Sequence, residues 1–423
     1  MSVIVIGSGI SGLSIANILV ENCKVEVLEK SSKIGGLIKC DRIKGNLFHR
    51  VGGHVFNSRN QKVTDWFWQY FDKEKEFLKA KRNAKIDICS TTVGYPIENY
   101  IYQLPDAVGI PILSEILEKI NRNKTKTQYS NFKEFLIGNF GQTLYKLYFE
   151  PYNKKMWNTN LDEIPLDWLQ GKLPMPDLKE VILSNVLKKE EDQMVHSSFY
   201  YPKEGGSQFI VDRFAEALNI SVSYTVNSIE LNNNKLSINH GDRITDKLIY
   251  TGDVRNLHRI INIDDNELND SLLKARGLKS NGTSNVLCEM DNNDLSWRYI
   301  PEHQFKAHRI IYTGNFSNSN NANLDKKTCV VEFSGEHNKN KMIEELSKLP
   351  GNLHPLAFNY EPNSYIIHNR DTKKIITEIK KQLEPYNIYL LGRFAEWEYY
   401  NMDKCIESAM LMAADKFYID KLI

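Results

Sequence analysis

Gly7-Ser8-Gly9-Ile10-Ser11-Gly12 sets three glycines at the spacing a dinucleotide-binding turn requires. Gly7 permits the tight turn, Gly9 lets the backbone approach a pyrophosphate, and Gly12 allows a helix to pack closely on a strand. The N–H groups opening the helix, including that of Ser11, then offer the phosphates unpaired donors and a positive dipole end. Glu29 ends the next apolar run, where its carboxylate is placed to accept both ribose hydroxyls of an adenosine, with Lys30 beside it. Near the other end, Gly392-Arg393 follows the apolar run 388–391 and precedes an aromatic cluster and a helix opening at Asn401-Met402-Asp403. Arg393 is expected to neutralise the pyrophosphate of a bound dinucleotide, and that helix N-terminus to face the cofactor.

The elements that must hold these residues are legible in outline. Val3–Ile6 is a short β-branched run of the kind buried in a parallel sheet, the helical pattern runs through Leu19, and Lys24–Leu28 is a second strand, together one βαβ unit. A helical, aromatic-rich stretch is expected from Val63 to Phe77, short strands over 80–104, and mostly helix over 106–190, with strand patterns at 198–201, 220–250 and 286–335. The run 315–327 reads as a polar loop. It and 177–197 are candidates for closing over a substrate. Ile388–Leu391 reads as a buried strand and Asp403–Phe417 as the closing helix.

The fold class that follows is α/β, an α+β multidomain chain. A Rossmann-like domain is expected from residues 1–80, 205–260 and 385–423, a helical insert from 106–190, and a twisted, mostly antiparallel sheet domain from 81–105, 198–204 and 261–384. The chain has 423 residues, enough for two or three domains. Its 54 Lys and Arg against 53 Asp and Glu give a net charge of +1, which offers no support for nucleic-acid binding. Glycines interrupt the apolar N-terminus, and no apolar run is long enough to span a bilayer, so no membrane association is expected. The six scattered cysteines lack a CxxC pair, which argues against a zinc site or disulfide framework and fits a reducing cytoplasm.

Gly35-Gly36-Leu37, close behind Glu29, resembles the pattern of large two-domain FAD proteins rather than nicotinamide dehydrogenases. Four segments make the resemblance specific: the N-terminal unit, RVGGHVFNS (50–58), LYFEPYNKKMWNTNLDEIP (147–165) and GRFAEWEYYNMDKCI (392–406). Together they resemble the UDP-galactopyranose mutase family, within the wider protoporphyrinogen and amine oxidase fold group. The resemblance implies FAD, active in its reduced form. It also implies interconversion of pyranose and furanose forms of a nucleotide sugar, begun by flavin N5 attacking the anomeric carbon. A reductant such as NAD(P)H is implied, and a homodimer is left open.

Carried over by position, Gly52 or Gly53 would let a backbone carbonyl approach N5, and His54 would hold the loop and bond near the isoalloxazine edge. Tyr152 and Trp157 would line the nucleotide pocket, though five residues apart they do not share one helical face. Lys154 or Lys155 is within reach of a phosphate by the same analogy. Arg298 and Tyr365 are similar to family residues that contact the diphosphate, Tyr299 competing with Arg298 for its position. Trp397 and Tyr400 fall where the family's aromatic residues enter the site.

One departure stands out. The family's mobile Pro-x-Arg arginine has no counterpart in KLPMPDL (172–178), and FYYPKEGGSQFI (199–210) is similar to oxidase-like relatives. Lys172, Lys203 or Arg298 would then have to balance the diphosphate. The alternative reading is an FAD oxidoreductase of the protoporphyrinogen or amine oxidase type. A non-catalytic flavin-fold subunit is disfavoured by the retained glycines, Glu29 and Arg393.

Overall fold

The computed structural model describes residues 1–122, 129–166, 177–189, 197–323 and 325–419. It is a mixed α/β protein built on three layers of packing.

The β-branched strand Ser2–Ile6 lies in a five-stranded parallel sheet between Lys24–Leu28 and Lys247–Tyr250. Ile388–Leu390 and Ile220–Ser221 form the two edges. Helix Ile10–Leu19 is buried along almost its whole length, because the sheet lies on one side and helix Met402–Phe417 on the other. The two chain ends therefore meet around one apolar core containing Leu13, Ile15, Ile406 and Met410.

The second layer is a seven-stranded sheet with the order His354–Ile367, Lys279–Met290, Lys327–Ser334, Ala307–Ile311, Trp297–Tyr299, Ala84–Ile88, Thr91–Gly94. Every neighbouring pair is antiparallel except Trp297–Tyr299 with Ala84–Ile88. The third is a helical group, Asp106–Arg122, Phe132–Phe140, Glu150–Trp157 and Leu178–Leu187, packed on one face of that sheet. A π-turn at Tyr145–Phe149 leads into Glu150–Trp157. Such wide turns recur at functional positions.

Several expectations need correcting. The helix expected over Val63–Phe77 is two, Gln61–Phe67 and Lys73–Glu76, because the Asp72 side chain caps the N–H groups of Glu74 and Lys75 and starts a new turn. Phe77 then opens a strand. Within 80–104, residues 97–99 and 101–103 form 3-10 turns rather than strands. The first part of the polar run, 315–321, is packed: buried Asn320 donates to the Tyr201 hydroxyl and to the Thr313 carbonyl, and Asn321 donates to the Gly314 carbonyl while accepting from the Thr328 N–H. Of the stretch 177–197, residues 178–187 are helix, and 190–196 lie outside the described residues. No helix among the described residues is long and apolar enough to cross a membrane.

Candidate active site

The glycine turn is built as its spacing requires. Gly7 has φ +104°, and a Cβ on Gly12 would overlap the Gly7 carbonyl oxygen, so helix and strand touch through backbone alone. Gly9 differs: the nearest atom to an added Cβ is the Gly36 Cα at 3.9 Å. Gly36, at φ +56°, would bring its own Cβ within 3.2 Å of the Gly9 Cα, and the Gly35 N–H donates to the Ser8 carbonyl. The two glycine pairs thus fold onto each other and leave a cradle without side chains. Glu29 is buried and accepts from the N–H and hydroxyl of Ser8 and the N–H of Ser31, which hold its carboxyl below the usual range against the opposing cost of burial. Lys30 is exposed and Leu37 partly buried at the rim.

Gly392 lies against this turn, since a Cβ there, at φ +90°, would overlap the Ser11 hydroxyl. Neither Gly9 nor Asn401 supplies a side-chain cap, so helices Ile10–Leu19 and Met402–Phe417 both present uncapped first-turn N–H groups. Asp403 sits in the first turn of the second helix, its carboxyl raised by burial. Arg393 donates to the Ser364 and Tyr400 carbonyls and covers the Tyr399 ring at 4.2 Å, while its Nε is sealed from solvent with no acceptor. Two glycine pairs without side chains, two uncapped helix ends and an orphaned guanidinium N–H suit a dinucleotide.

Above this cradle runs the loop Gly52-Gly53-His54. A Cβ on Gly52 would stand 3.3 Å from Arg309 Nη2, and one on Gly53 would stand 2.5 Å from the Ile311 side chain. The loop therefore rests directly on the inner face of the large sheet. His54 Nε2 is buried without a partner. Burial, with Arg393 and Arg309 nearby, pushes the His54 imidazole down to about 4, so it is neutral at pH 7.

Beneath the loop, the fully buried Glu332 carboxylate accepts from Arg309 at 2.8 Å and from the Tyr365 hydroxyl at 2.7 Å, and lies 3.0 Å from His308 Nε2. These partners hold its carboxyl far below the ordinary range although burial opposes them. Tyr365 stacks on Tyr399, with centroids 6.1 Å apart, which links this network to Arg393. Tyr152 meets Tyr299 edge-on at 5.6 Å and stacks on Tyr148 at 5.7 Å, one helical turn away across the π-turn. Tyr299 in turn stacks on Tyr95 at 4.8 Å. The result is a buried aromatic cluster around an arginine, with the glycine loop beside it.

Of the residues singled out from sequence, the structure brings His54, Gly52, Gly53, Arg393, Tyr152, Tyr365 and Tyr299, the alternative to Arg298, to this place. Others go elsewhere. Arg298 points to the opposite face of the sheet, where it pairs with Asp87 at 2.8 Å, because alternate strand residues face opposite ways and Trp297 and Tyr299 take the inner face. Lys155 is spent on the Ile300 and Glu302 carbonyls at 2.8 and 2.7 Å, and burial pushes its ammonium down to about 8. Lys154 pairs with Glu150, and Lys203 donates to the Glu74 carbonyl. Trp157 packs against Phe132 inside the helical group. Trp397 is fully buried in a separate core, with Arg255 over its ring at 4.8 Å. Tyr400 packs toward the Met402–Phe417 helix, and its neighbour Tyr399 is the ring that reaches Tyr365. Lys172 lies outside the described residues.

Sequence reasoning missed Arg309, His308, Glu332, Tyr399 and Arg82. A register shift between Ala307 and Arg309 lets two consecutive residues, His308 and Arg309, both reach Glu332, so simple alternation gives no signal.

Residues 5–72 match the NAD(P)-binding Rossmann-like domain family. The chain is 31% identical over 176 residues to dTDP-fucopyranose mutase of Escherichia coli, a match covering 41% of this chain and 46% of that relative. It is 24% identical to UDP-galactopyranose mutase of Mycoplasma genitalium over 96% of this chain and 92% of that one. Among solved structures, reduced UDP-galactopyranose mutase superposes with a TM-score of 0.87 at 20% identity, covering 100% of this chain and 96% of that one. Along nearly its whole length the chain is thus similar to nucleotide-sugar mutases, and it has the fold of UDP-galactopyranose mutase.

Proposed function

We propose that the protein is an isomerase, a flavin-dependent mutase that interconverts the pyranose and furanose forms of a nucleotide hexose. The observation that carries this reading is the arrangement of the site: side-chain-free cradle, glycine loop with an orphaned His54 Nε2, and the aromatic cluster around Arg309. FAD would be held by Gly7, Gly9, Ser11, Gly12, Glu29, Gly35, Gly36, Gly392, Arg393 and the N-terminus of Met402–Phe417. Reduced flavin supplies a nucleophilic N5 for the anomeric carbon, with no net redox change over the cycle.

The chain's own residues do the rest. Gly52 and Gly53 let the loop lie directly on the sheet over Arg309 and Ile311, which sets where the loop backbone stands. His54, neutral and shielded, offers one ring nitrogen to a group at that loop. Arg309 is pre-aimed by Glu332, so little reorganisation is needed to hold the leaving diphosphate until it returns. Tyr152 and Tyr365 wall a substrate recess against water. The cofactor domain in this reading comprises 1–80, 205–260 and 385–423, a donor such as NAD(P)H keeps the flavin reduced, and the free cysteines suit a reducing cytoplasm.

The test is to reduce the purified flavoprotein anaerobically, incubate it with UDP- and dTDP-hexoses, and follow products by chromatography. A same-mass product formed only after reduction is expected. Absence of isomerisation, together with oxygen-dependent reoxidation by another small molecule, would replace the mutase with an oxidase.

A further inference from the structure

We propose that Arg82 is a second anchor for the substrate diphosphate, acting beside Arg309; the inference rests on the mutase reading above. Arg82 lies in the short connection between strands Phe77–Lys81 and Ala84–Ile88, tied down by its N–H donating to the Ser197 carbonyl at 2.8 Å. Its guanidinium is held between the rings of Tyr95 at 4.6 Å and Trp297 at 4.9 Å, and donates to the Tyr299 hydroxyl. Tyr299 is the ring that meets Tyr152, and the Arg309 charge acts on Arg82, so the two arginines belong to the same aromatic cluster.

What sets Arg82 apart is its charge balance. Arg309 is matched by Glu332 and Arg298 by Asp87. No carboxylate among the described residues pairs with Arg82, and its Nε is sealed from solvent without an acceptor. An unmatched cation shielded by aromatic walls is costly, and the cost falls when an anion fills the place. The Tyr95 and Trp297 rings flank the guanidinium and Nε has no acceptor, so the fork keeps a donor for a phosphate oxygen. A diphosphate offers two linked phosphoryl groups that can meet two arginines at once, which a monophosphate or a neutral sugar does not.

Calorimetric titration of the flavin-loaded protein with UDP, UMP and uridine, and the thymidine series in parallel, tests this. Wild type is expected to prefer the diphosphate over the monophosphate by about tenfold or more. Arg82→Gln should bring the two within about threefold while nucleoside binding and flavin content stay the same, and Arg82→Lys should fall between, keeping charge without the fork. An unchanged diphosphate preference in both variants overturns the role of Arg82 and leaves the mutase reading standing. Wild type that binds neither nucleotide series nor the corresponding sugars sinks the mutase reading, and the anchor with it. Should Arg82→Gln fail to load flavin, Arg82→Lys decides alone: an unaltered preference there counts against the anchor.

Discussion

The cofactor cradle and the substrate recess proposed above are made of different materials. The cradle is mostly backbone: glycines whose Cβ atoms would clash, and two helices whose first N–H groups lack caps. The recess is side chains: Arg309, Glu332, Tyr365, Tyr152 and Tyr299, contributed by four strands and one helix far apart in sequence. A backbone site depends on conformation within a few residues. A side-chain site depends on which strands pair and in which register. The first should therefore fail by losing ligand or local geometry, and the second by losing charge balance.

The comparison is sharpest at the glycines. Gly12→Ala would drive a methyl into the Gly7 carbonyl, which neither backbone can easily yield, and should cost about 3 kcal/mol or more in thermal or denaturant unfolding. Gly9→Val meets little protein, so the apoprotein should keep its melting temperature while the purified protein loses its yellow colour. A fully flavinated Gly9→Val would remove that residue from the cradle.

On the recess side, Arg309→Gln strips the buried Glu332 of its charge partner. The expected cost is about 3–5 kcal/mol, because a lone buried carboxylate is far worse than none. Adding Glu332→Gln to that variant should recover part of the stability without restoring activity; no recovery would mean the pair is not the unit described here.

Buried histidines add a pH dependence to stability. Burial pushes His54 down to about 4 and His49, bonded to the Tyr201 hydroxyl at 2.7 Å, down to about 3. Each stays neutral in the folded protein at pH values where the unfolded chain, titrating at about 6.5, is already charged. Stability is therefore full above pH 6.5 and falls on acidification towards those values, by about 1.4 kcal/mol per pH unit for each histidine. His49→Gln should flatten the acid limb of a melting-temperature profile by one histidine's share. An unaltered limb would mean that His49 does not titrate in this way.

The smallest effect is expected for Arg298→Gln. Its partner Asp87 is partly exposed on the outer face, so about 1 kcal/mol or less should be lost, with the diphosphate preference unmoved. A large loss of nucleotide binding would mean that this face, too, meets the substrate.

How much of this was legible follows from the same physics. The βαβ unit, Gly7, Gly9, Gly12, Glu29 and Gly392-Arg393 could be read because each is a local rule of backbone conformation, dipole or strand ending. The loop Gly52-Gly53-His54 and the Tyr152 helix came from resemblance, and the structure brings them together. Arg298 misled because strand alternation needs one known inward residue to set its phase, and the sequence supplied none. Trp397 and Lys155 misled because an aromatic ring serves a core as readily as a pocket, and an ammonium serves backbone carbonyls as readily as a phosphate.

By itself, then, the sequence determined where a dinucleotide turn must form and which helices must cradle it, since those depend on neighbours within a turn or two. Only the tertiary structure decided that Arg309 rather than Arg298 underlies the loop, that Tyr399 rather than Tyr400 reaches Tyr365, and that Arg82 has no carboxylate partner among the described residues. Those outcomes hang on the register shift at Ala307–Arg309 and on strands from residues 84 to 367 sharing one sheet, long-range pairings that no local pattern encodes.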